Sequence, residues 1–279
     1  MYCRIVLASA CFVFLGGSTY AQEDDNKMSS SFFGPNAMPV PDMLDGAVSK
    51  DVYVELAYDY YAGRYGDSTH DIFVKANIPV FSPRLNLSLW MPVTEFYRNT
   101  NRSLDHQHPT ERKMSGCEFG NLYITTDIHI LKQKKFIPDM TLRAGLITAS
   151  GDSEQYGRYF DSPGYFFDTS VAKSWSLGET YASSIRFIAN LGFLCWQVEK
   201  STQNDAFMYG LKAKYDDTRF SASLAWQGYS GWINNGDKPM VVKAVFTYKY
   251  KHFRPLVAYQ YGINDYPFQQ FRVGVGYVF

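Results

Sequence analysis

The stretch that decides the fold runs from Gln269 to Phe279 and reads QQFRVGVGYVF. Apolar residues alternate there with polar or small ones: Phe271, Val273, Val275, Tyr277 and Phe279 against Gln270, Arg272, Gly274 and Gly276. Residues two apart lie on one face of a β-strand, so the stretch predicts a strand with one fully apolar face. Such a face packs against the core of a soluble sandwich or against lipid in an outer-membrane barrel.

The start of the chain predicts export. It reads MYCRIVLASACFVFLGGSTYAQEDD, in which one arginine precedes an apolar run that ends in small residues. This pattern is typical of a secretory signal peptide, here residues 1–21 with cleavage after Ala21. A lipoprotein anchored at Cys11 is the alternative, but apolar residues follow that cysteine directly. The remainder contains no apolar run of about 18 residues, so no membrane helix is encoded.

Composition narrows the class of protein further. Lys and Arg total 27, as do Asp and Glu, so the chain has no net charge. Its charge therefore gives no indication of a nucleic-acid partner. Aromatic residues make up 17% of the chain, which suits a barrel with aromatic girdles, the alternative being a secreted β-sandwich or soluble barrel. Cys117 and Cys195 remain after export. They fall about three strands, or roughly 14 Å, apart, so we expect thiols and not a disulfide.

Alternation organises most of the mature chain. Residues 22–50 carry three prolines and no alternation, which predicts an irregular N-terminal arm that forms either a loose periplasmic tail or a partial plug. Residues 51–279 then predict an all-β, transmembrane, antiparallel up-and-down barrel of about twelve strands. The predicted segments are 51–61, 70–80, 84–95, 118–131, 138–149, 164–175, 183–195, 205–215, 218–228, 239–250, 253–261 and 269–279.

Connection lengths give the barrel its orientation. The connections after every even-numbered segment are mostly short, and the others are mostly longer and more polar. Outer-membrane barrels have short periplasmic turns and long extracellular loops, so this asymmetry predicts which end faces outward. We therefore expect a location in the outer membrane of a Gram-negative bacterium, with lipid around the wall. The closing strand ending at Phe279 would be the contact for the barrel-assembly machinery.

Strand parity predicts which charges line the lumen. A charge on the lipid face near mid-membrane costs about 2–4 kcal/mol, so ionised residues must point inward. The candidates for a lumen constriction are Glu55, Lys75, Asp127, Arg143, Asp168, Arg186, Lys212, Lys243 and Arg272. Hairpin register predicts the oppositely charged neighbours Glu55–Lys75, Asp127–Arg143, Arg143–Asp168 and Asp168–Arg186. This ladder either only holds a narrow barrel closed or also forms a constriction that sorts small solutes.

Few motifs suggest catalysis or metal binding. His70 follows Ser68 near the outer end of the second segment, where barrel lipid enzymes place a His and a Ser, but a solvated rim histidine is the simpler interpretation. His106 and His108 lie in the charged sequence DHQH, whose His-x-His spacing could bind a metal weakly if extended. A solvated loop is again the simpler interpretation. We expect no cofactor, no metal and no catalytic constellation.

Aromatic residues concentrate in the predicted outer loops. The candidates for an outer aromatic mouth are Tyr156, Tyr159, Phe160 and Trp232. Tyr and Trp are also common at the membrane interface, so these residues either form that belt or stack on an aromatic or sugar solute.

Residues Phe119 to Trp175 include FGNLYITTDIHILKQKKFIPDMTLRAGLITASGD and GYFFDTSVAKSW. They resemble the barrel family of the meta-pathway of phenol degradation, with Ala149–Asp152 standing where that family has Pro-Thr-Gly-Asp. The resemblance implies an outer-membrane barrel for uptake of small, hydrophobic or aromatic compounds. The function we predict is passage or binding of a small solute. A lipid-modifying enzyme at the outer rim and a structural or adhesive barrel are the alternatives.

Overall fold

A computed structural model describes residues 29–151, 153–159, 162–178, 183–196, 204–232 and 236–279. The predicted signal peptide, residues 22–28 of the arm and Phe160 lie outside these ranges. The described strands and helix are β1 (Tyr53–Gly63), β2 (Ser68–Pro79), β3 (Leu85–Arg98), α1 (Asn101–Gln107), β4 (Ser115–Glu118), β5 (Tyr123–Leu131), β6 (Asp139–Ile147), β7 (Gly164–Ser176), β8 (Ser184–Trp196), β9 (Asn204–Asp216), β10 (Phe220–Ser230), β11 (Met240–Tyr248), β12 (Phe253–Asn264) and β13 (Phe268–Val278).

The sheet closes on itself. Consecutive strands pair antiparallel, with the exception of β4 and β5, and β1 also pairs with β13 along its whole length. The strands β4 and β5 both pair with β3 and together make one interrupted strand of the wall. The result is the predicted closed barrel of twelve antiparallel strands. Within the described ranges, no helix meets the length and hydropathy of a bilayer-spanning helix.

The interruption between β4 and β5 has a local cause. Pro92 of β3 has no N–H to donate, and the pairing of β2 with β3 shifts register beside it. Opposite this kink, Gly120 donates its backbone N–H to the Pro92 carbonyl at 3.0 Å. A Cβ at Gly120 would lie 2.3 Å from the proline ring, so the close approach requires glycine.

The two faces of the wall follow the predicted parity. Val273 and Phe271 of β13 are 62% and 47% exposed on the outside, whereas Arg272 between them is buried in the lumen. The same alternation repeats in β8, where Leu191 is 59% exposed and Asn190 is buried. A continuous apolar outer face of this size requires lipid against it. The cysteines also follow expectation, since exposed Cys117 and buried Cys195 are both thiols.

Two outer connections are shorter than predicted. The strands β1 and β2 extend toward each other and leave only residues 64–67 between them, and β12 and β13 leave only 265–267. Ladder pairing continues to Gly63–Phe268, at the outer end of this part of the wall. The long outer connections are therefore 99–114, which contains α1, and 148–163.

The register confirms three of the four predicted neighbour pairs. Glu55 lies opposite Lys75, and Arg143 lies between Asp127 and Asp168. The pair Asp168–Arg186 is wrong because the β7–β8 turn is centred near residue 180 and not 178. Asp168 lies opposite Gly192 and accepts a hydrogen bond from Asn190 Nδ2 at 2.7 Å.

A charge placed on the outer face tests the membrane assignment. Leu191→Arg puts a guanidinium at the middle of β8 on the apolar side, and we expect it to reduce the free energy of unfolding by about 2–4 kcal/mol. Urea unfolding in lipid vesicles measures this change. Leu177→Arg makes the same substitution at an exposed turn residue, so it should leave the midpoint unchanged. Equal effects of the two substitutions would contradict a lipid-facing wall.

Candidate functional site

The candidate site is the lumen together with the N-terminal arm that lies in it. Residues 29–50 form neither helix nor strand, and most of them are buried. At the outer end, Ser30 Oγ donates to the carbonyl of Asp265, which lies between β12 and β13, at 3.3 Å. At the periplasmic end, Asp45 contacts Lys214 of β9, three residues before Asp217 in the turn. The arm therefore runs along the barrel interior to the start of β1.

A polar cluster holds the arm near the outer end. Asn36 Nδ2 donates to Asp71 Oδ2 at 2.8 Å and to Glu95 Oε2 at 2.7 Å. Arg158 from the 148–163 loop donates to Glu95 Oε1 through Nε at 2.7 Å, and Tyr159 OH donates to Glu95 Oε2 at 2.9 Å. Glu95, Arg158 and Tyr159 are all fully buried. We call Asn36, Asp71, Glu95, Arg158 and Tyr159 the outer polar cluster.

Apolar packing surrounds the same part of the arm. Ala37 and Met38 of the arm are 0% and 1% exposed. They belong to a cluster with inward residues of the wall, among them Tyr61, Tyr123, Ile147, Phe166, Leu194, Trp196, Met208, Val241 and Phe268. These wall residues have the same parity as the charged lumen residues of their strands. The inward face thus has most of its apolar residues in its outer half, around the outer polar cluster, and most of its lysines toward the periplasm.

Wall side chains also satisfy the backbone of the arm. Tyr266 OH donates to the Pro35 carbonyl at 3.0 Å, and Tyr229 OH donates to the Met38 carbonyl at 3.2 Å. Further along, Arg143 Nη1 donates to the carbonyl of Asp42 at 2.7 Å. An irregular segment can lie buried only if its polar groups find such partners.

In the periplasmic half, basic side chains bind Asp42 and Asp45, the two aspartates of the described part of the arm. Lys243 Nζ lies 2.7 Å from Asp42 Oδ1. Lys212 and Lys214 each place Nζ 2.5 Å from one oxygen of Asp45. Arg186 also donates from Nε to the Asp45 carbonyl at 2.6 Å.

Open space remains beside these aspartates. One cavity of about 290 Å³ is lined by six of the predicted constriction residues, Glu55, Lys75, Asp127, Arg143, Lys243 and Arg272. A second, of about 590 Å³, is lined by Lys75, Arg186, Lys212, Lys214 and Lys243 and by Asp42, Asp45 and Asp216. We call the second one the basic cavity. The arm residues Asp42, Met43 and Leu44 line both.

The charge balance decides the ionisation of the arm aspartates. Enclosure by the barrel alone would raise the pKa of Asp45, but the ammonium groups of Lys212 and Lys214 outweigh this and hold its pKa well below the ordinary value. The pKa of Asp42 is likewise lowered, because Lys243 outweighs the effect of burial. Both carboxylates are therefore charged at neutral pH.

Other predicted constriction residues form ion pairs within the wall. Arg143 Nε lies 2.6 Å from Asp168 Oδ2 in a fully enclosed pair. Arg272 binds Asp59 through two bonds, from Nε at 2.7 Å and from Nη2 at 2.5 Å, and stacks on Phe73. A bidentate arginine–carboxylate pair is a strong and directional contact. These pairs join neighbouring strands and leave the basic cavity to the lysines.

Two predicted pairs form different contacts. Asp127 faces Arg143 in register but accepts hydrogen bonds from Ser88 Oγ at 2.7 Å and Thr125 Oγ1 at 3.0 Å. Arg186, predicted beside Asp168, instead places Nη1 2.9 Å from Asp139 Oδ2. Register alone thus identifies neighbours and not the bonds that their side chains make.

The predicted aromatic mouth is divided. Tyr159 is buried in the outer polar cluster, where burial and Glu95 raise the pKa of its hydroxyl well above the ordinary value. Tyr156 is half-buried with Lys113 Nζ 4.2 Å from its ring centre, and Trp232 is 65% exposed.

The histidines do not form a catalytic site in the described residues. His70 lies on the outer face, in contact with Tyr58 OH and 4.9 Å from the ring of Tyr60. His106 lies 3.4 Å from Ser31 Oγ, but its Nε2 is 3.0 Å from the Ser31 carbonyl, which can only accept. That contact requires a proton on Nε2, so this nitrogen is not a base for the serine hydroxyl.

The DHQH sequence is not the extended pair that metal binding requires. It ends α1, and His108 caps the helix in the left-handed conformation, with φ at 50°. Side chains two apart at a helix end point in different directions. No group of three or more potential metal ligands occurs in the described ranges. His106 is half-buried between the arm and Tyr65 and is not solvated as predicted.

Several site residues escaped sequence reasoning. Asn36, Asp42 and Asp45 lie in a segment without alternation, and Arg158 lies in a loop, so parity says nothing about any of them. One signal for the arm aspartates was available. Lys212 and Lys243 point inward from strands that supply few acids, which predicts counter-charges from outside the wall.

Breaking the outer polar cluster should destabilise the protein. Arg158→Met leaves Glu95 buried without its cation, and we expect a loss of about 3–5 kcal/mol in the free energy of unfolding. Denaturant unfolding measures it. Arg112→Met removes the cation of the exposed pair Arg112–Asp105 and should change the same quantity by less than about 0.5 kcal/mol. Equal unfolding midpoints for the two variants would refute the role of Arg158.

The lowered pKa values of Asp42 and Asp45 set the acid response of the arm. A carboxylate whose folded pKa is depressed contributes stability above its unfolded pKa of about 3.9 and loses that contribution as the pH falls through the folded pKa. We expect the arm to stay bound from pH 8 to 5 and to be released only in stronger acid. An environment-sensitive dye on Ala47→Cys, in a Cys117→Ser background, reports the change. Release centred between pH 5 and 8 would contradict these pairings.

Comparisons with known proteins bear on the fold. No family model and no curated protein matches the sequence. Among solved structures, an outer membrane channel from Pseudomonas putida F1 is 10% identical, covers 86% of this chain and 100% of its own, and has a TM-score of 0.59. The NanC porin is 12% identical over 80% of this chain and 98% of its own, with a TM-score of 0.48. The chain thus has the fold of Gram-negative outer-membrane β-barrels, and its apolar outer face fits that membrane.

Proposed function

We propose that this protein passes a small solute across the outer membrane and that its N-terminal arm closes the passage. The observation that carries the proposal is the arm itself, which lies along the lumen beside cavities of about 290 and 590 Å³. A barrel that served only as a scaffold would have no need of a separate segment bound through charges in its interior. The channel fold of the Pseudomonas putida F1 protein supports the same function.

The contacts of the arm differ in strength along its length. In the outer half it is packed against apolar wall residues and the outer polar cluster. In the periplasmic half it is held by ion pairs whose arm carboxylates, at Asp42 and Asp45, are 52% and 31% exposed. Exposed ion pairs contribute little, commonly about 0–1 kcal/mol each. Opening would therefore begin at the periplasmic end.

The alternatives have less support. A lipid-modifying enzyme needs a nucleophile and a base at the outer rim, and the His106–Ser31 contact has the wrong proton arrangement. The resemblance of residues 119–175 to the phenol meta-pathway barrels would suit uptake of a hydrophobic or aromatic compound, and the apolar outer half of the lumen favours such a solute there. The basic cavity favours a charged group on the same solute.

Reversing the charge of the arm tests closure. Asp42→Lys combined with Asp45→Lys turns three attractive contacts into repulsive ones in the full chain. We expect the open probability in planar bilayers to rise about tenfold, which corresponds to ~1.4 kcal/mol.

Asp51→Lys is the matched control, because Asp51 is exposed at the end of the same segment and should leave conductance unchanged. Heat-modified gel mobility verifies that each variant is folded. A folded double variant that conducts no more than the wild-type protein would count against closure by the arm.

A further inference from the structure

The basic cavity owes most of its negative charge to the arm. Five basic and three acidic residues line it, and two of the three acids are Asp42 and Asp45. The third, Asp216, is bound by Lys249 of the neighbouring turn at 2.7 Å. If the arm moved away, Arg186 would keep its pair with Asp139, but the four lysines would face a cavity whose one remaining acid, Asp216, is already paired. Uncompensated like charges in a narrow lumen require an anion from solution.

One of these cations is available even when the arm is bound. Lys75 lines both cavities, and none of the ion pairs within 4.0 Å in the described residues includes it, although its charge also acts on Asp42. Glu55, opposite Lys75 in register, instead accepts from Tyr53 OH at 2.6 Å and lies 3.6 Å from Arg272 Nη1. The cavity thus offers a first ammonium group to an entering anion.

The arm groups that the lysines already bind indicate which anion the basic cavity accepts. Lys212, Lys214 and Lys243 hold carboxylates at 2.5 to 2.7 Å, as charge-assisted hydrogen bonds do. We infer that the basic cavity binds solutes that carry several carboxylates, and that Asp42 and Asp45 occupy the positions of two of those carboxylates. The inference rests on the proposed function, which it extends to the class of solute and to the means of opening.

Competition explains why several carboxylates are needed. The arm is tethered, so its aspartates act at an effective concentration on the order of millimolar or more. A monovalent anion with one lysine contact cannot compete against two tethered carboxylates. A polycarboxylate can bind Lys75 first and then replace Asp42 and Asp45 at the other lysines. Binding of the solute would then open the passage by shifting the population of the arm.

Citrate binding to the full-length protein in detergent tests the inference without conductance. Isothermal titration at constant ionic strength should show about tenfold tighter binding to Asp42→Asn/Asp45→Asn than to the wild-type protein, because competition is removed. Asp42→Glu/Asp45→Glu keeps the carboxylates and should stay close to wild type. Sucrose, which is neutral, should not bind to any of them.

The lysines are tested in the variant that lacks the competing carboxylates. Adding Lys212→Gln and Lys214→Gln to Asp42→Asn/Asp45→Asn should weaken citrate binding about tenfold or more. Adding Lys132→Gln and Lys135→Gln, two exposed turn lysines, should not. Equal citrate affinity for the wild-type and Asp42→Asn/Asp45→Asn proteins would overturn the inference, and so would tighter binding of inorganic phosphate than of citrate.

The two proposals fail in different ways. If citrate competes with the arm but no variant conducts, the binding site is supported and the transport function is refuted. If the protein conducts but citrate neither binds nor increases the current, the transport function stands and the assigned solute class is wrong.

Discussion

The structure depends on one constraint, which is that an ionised side chain cannot face acyl chains. A wall of twelve strands therefore directs its charges into a narrow lumen, where each charge needs a counter-charge or water. Most of the wall satisfies this need between neighbouring strands, as Arg143 does with Asp168 and Arg272 does with Asp59. In β8 to β11 the inward charges are cations, apart from Asp216 at the turn. The arm meets this imbalance with Asp42 and Asp45.

The lumen consists of two halves with different physical characters. The outer half is closely packed, because apolar wall residues and the outer polar cluster surround Ala37 and Met38. Its ion pair, Glu95–Arg158, is fully buried, so removing one partner would lower the free energy of unfolding strongly. In the periplasmic half, the arm carboxylates of Asp42 and Asp45 are 52% and 31% exposed, and ion pairs with exposed partners exchange at small cost. The same segment is thus anchored at one end and replaceable at the other.

The sequence predicted the features that are periodic and missed most of those that are not. Alternation gave the strands, their faces and three of the four charged neighbours, because one parity must be apolar throughout. It misplaced Arg186 because register also depends on the β7–β8 turn, whose length alternation does not determine. It left the arm between a tail and a plug, and it missed Arg158, because segments without a repeat reveal their position only through tertiary contacts.

The charges of the inward residues could have predicted part of the site that periodicity missed. Parity already placed Lys212 and Lys243 in the lumen, and the neighbouring strands offer no inward acid at their level. Such cations are stable inside a barrel only if an anion reaches them. The arm is the nearest segment outside the wall, and its aspartates at positions 42 and 45 lie three residues apart between prolines and small residues. An excess of one charge on the inner face of a barrel therefore indicates both an internal partner and, by the same electrostatics, the charge of the solute that could replace it.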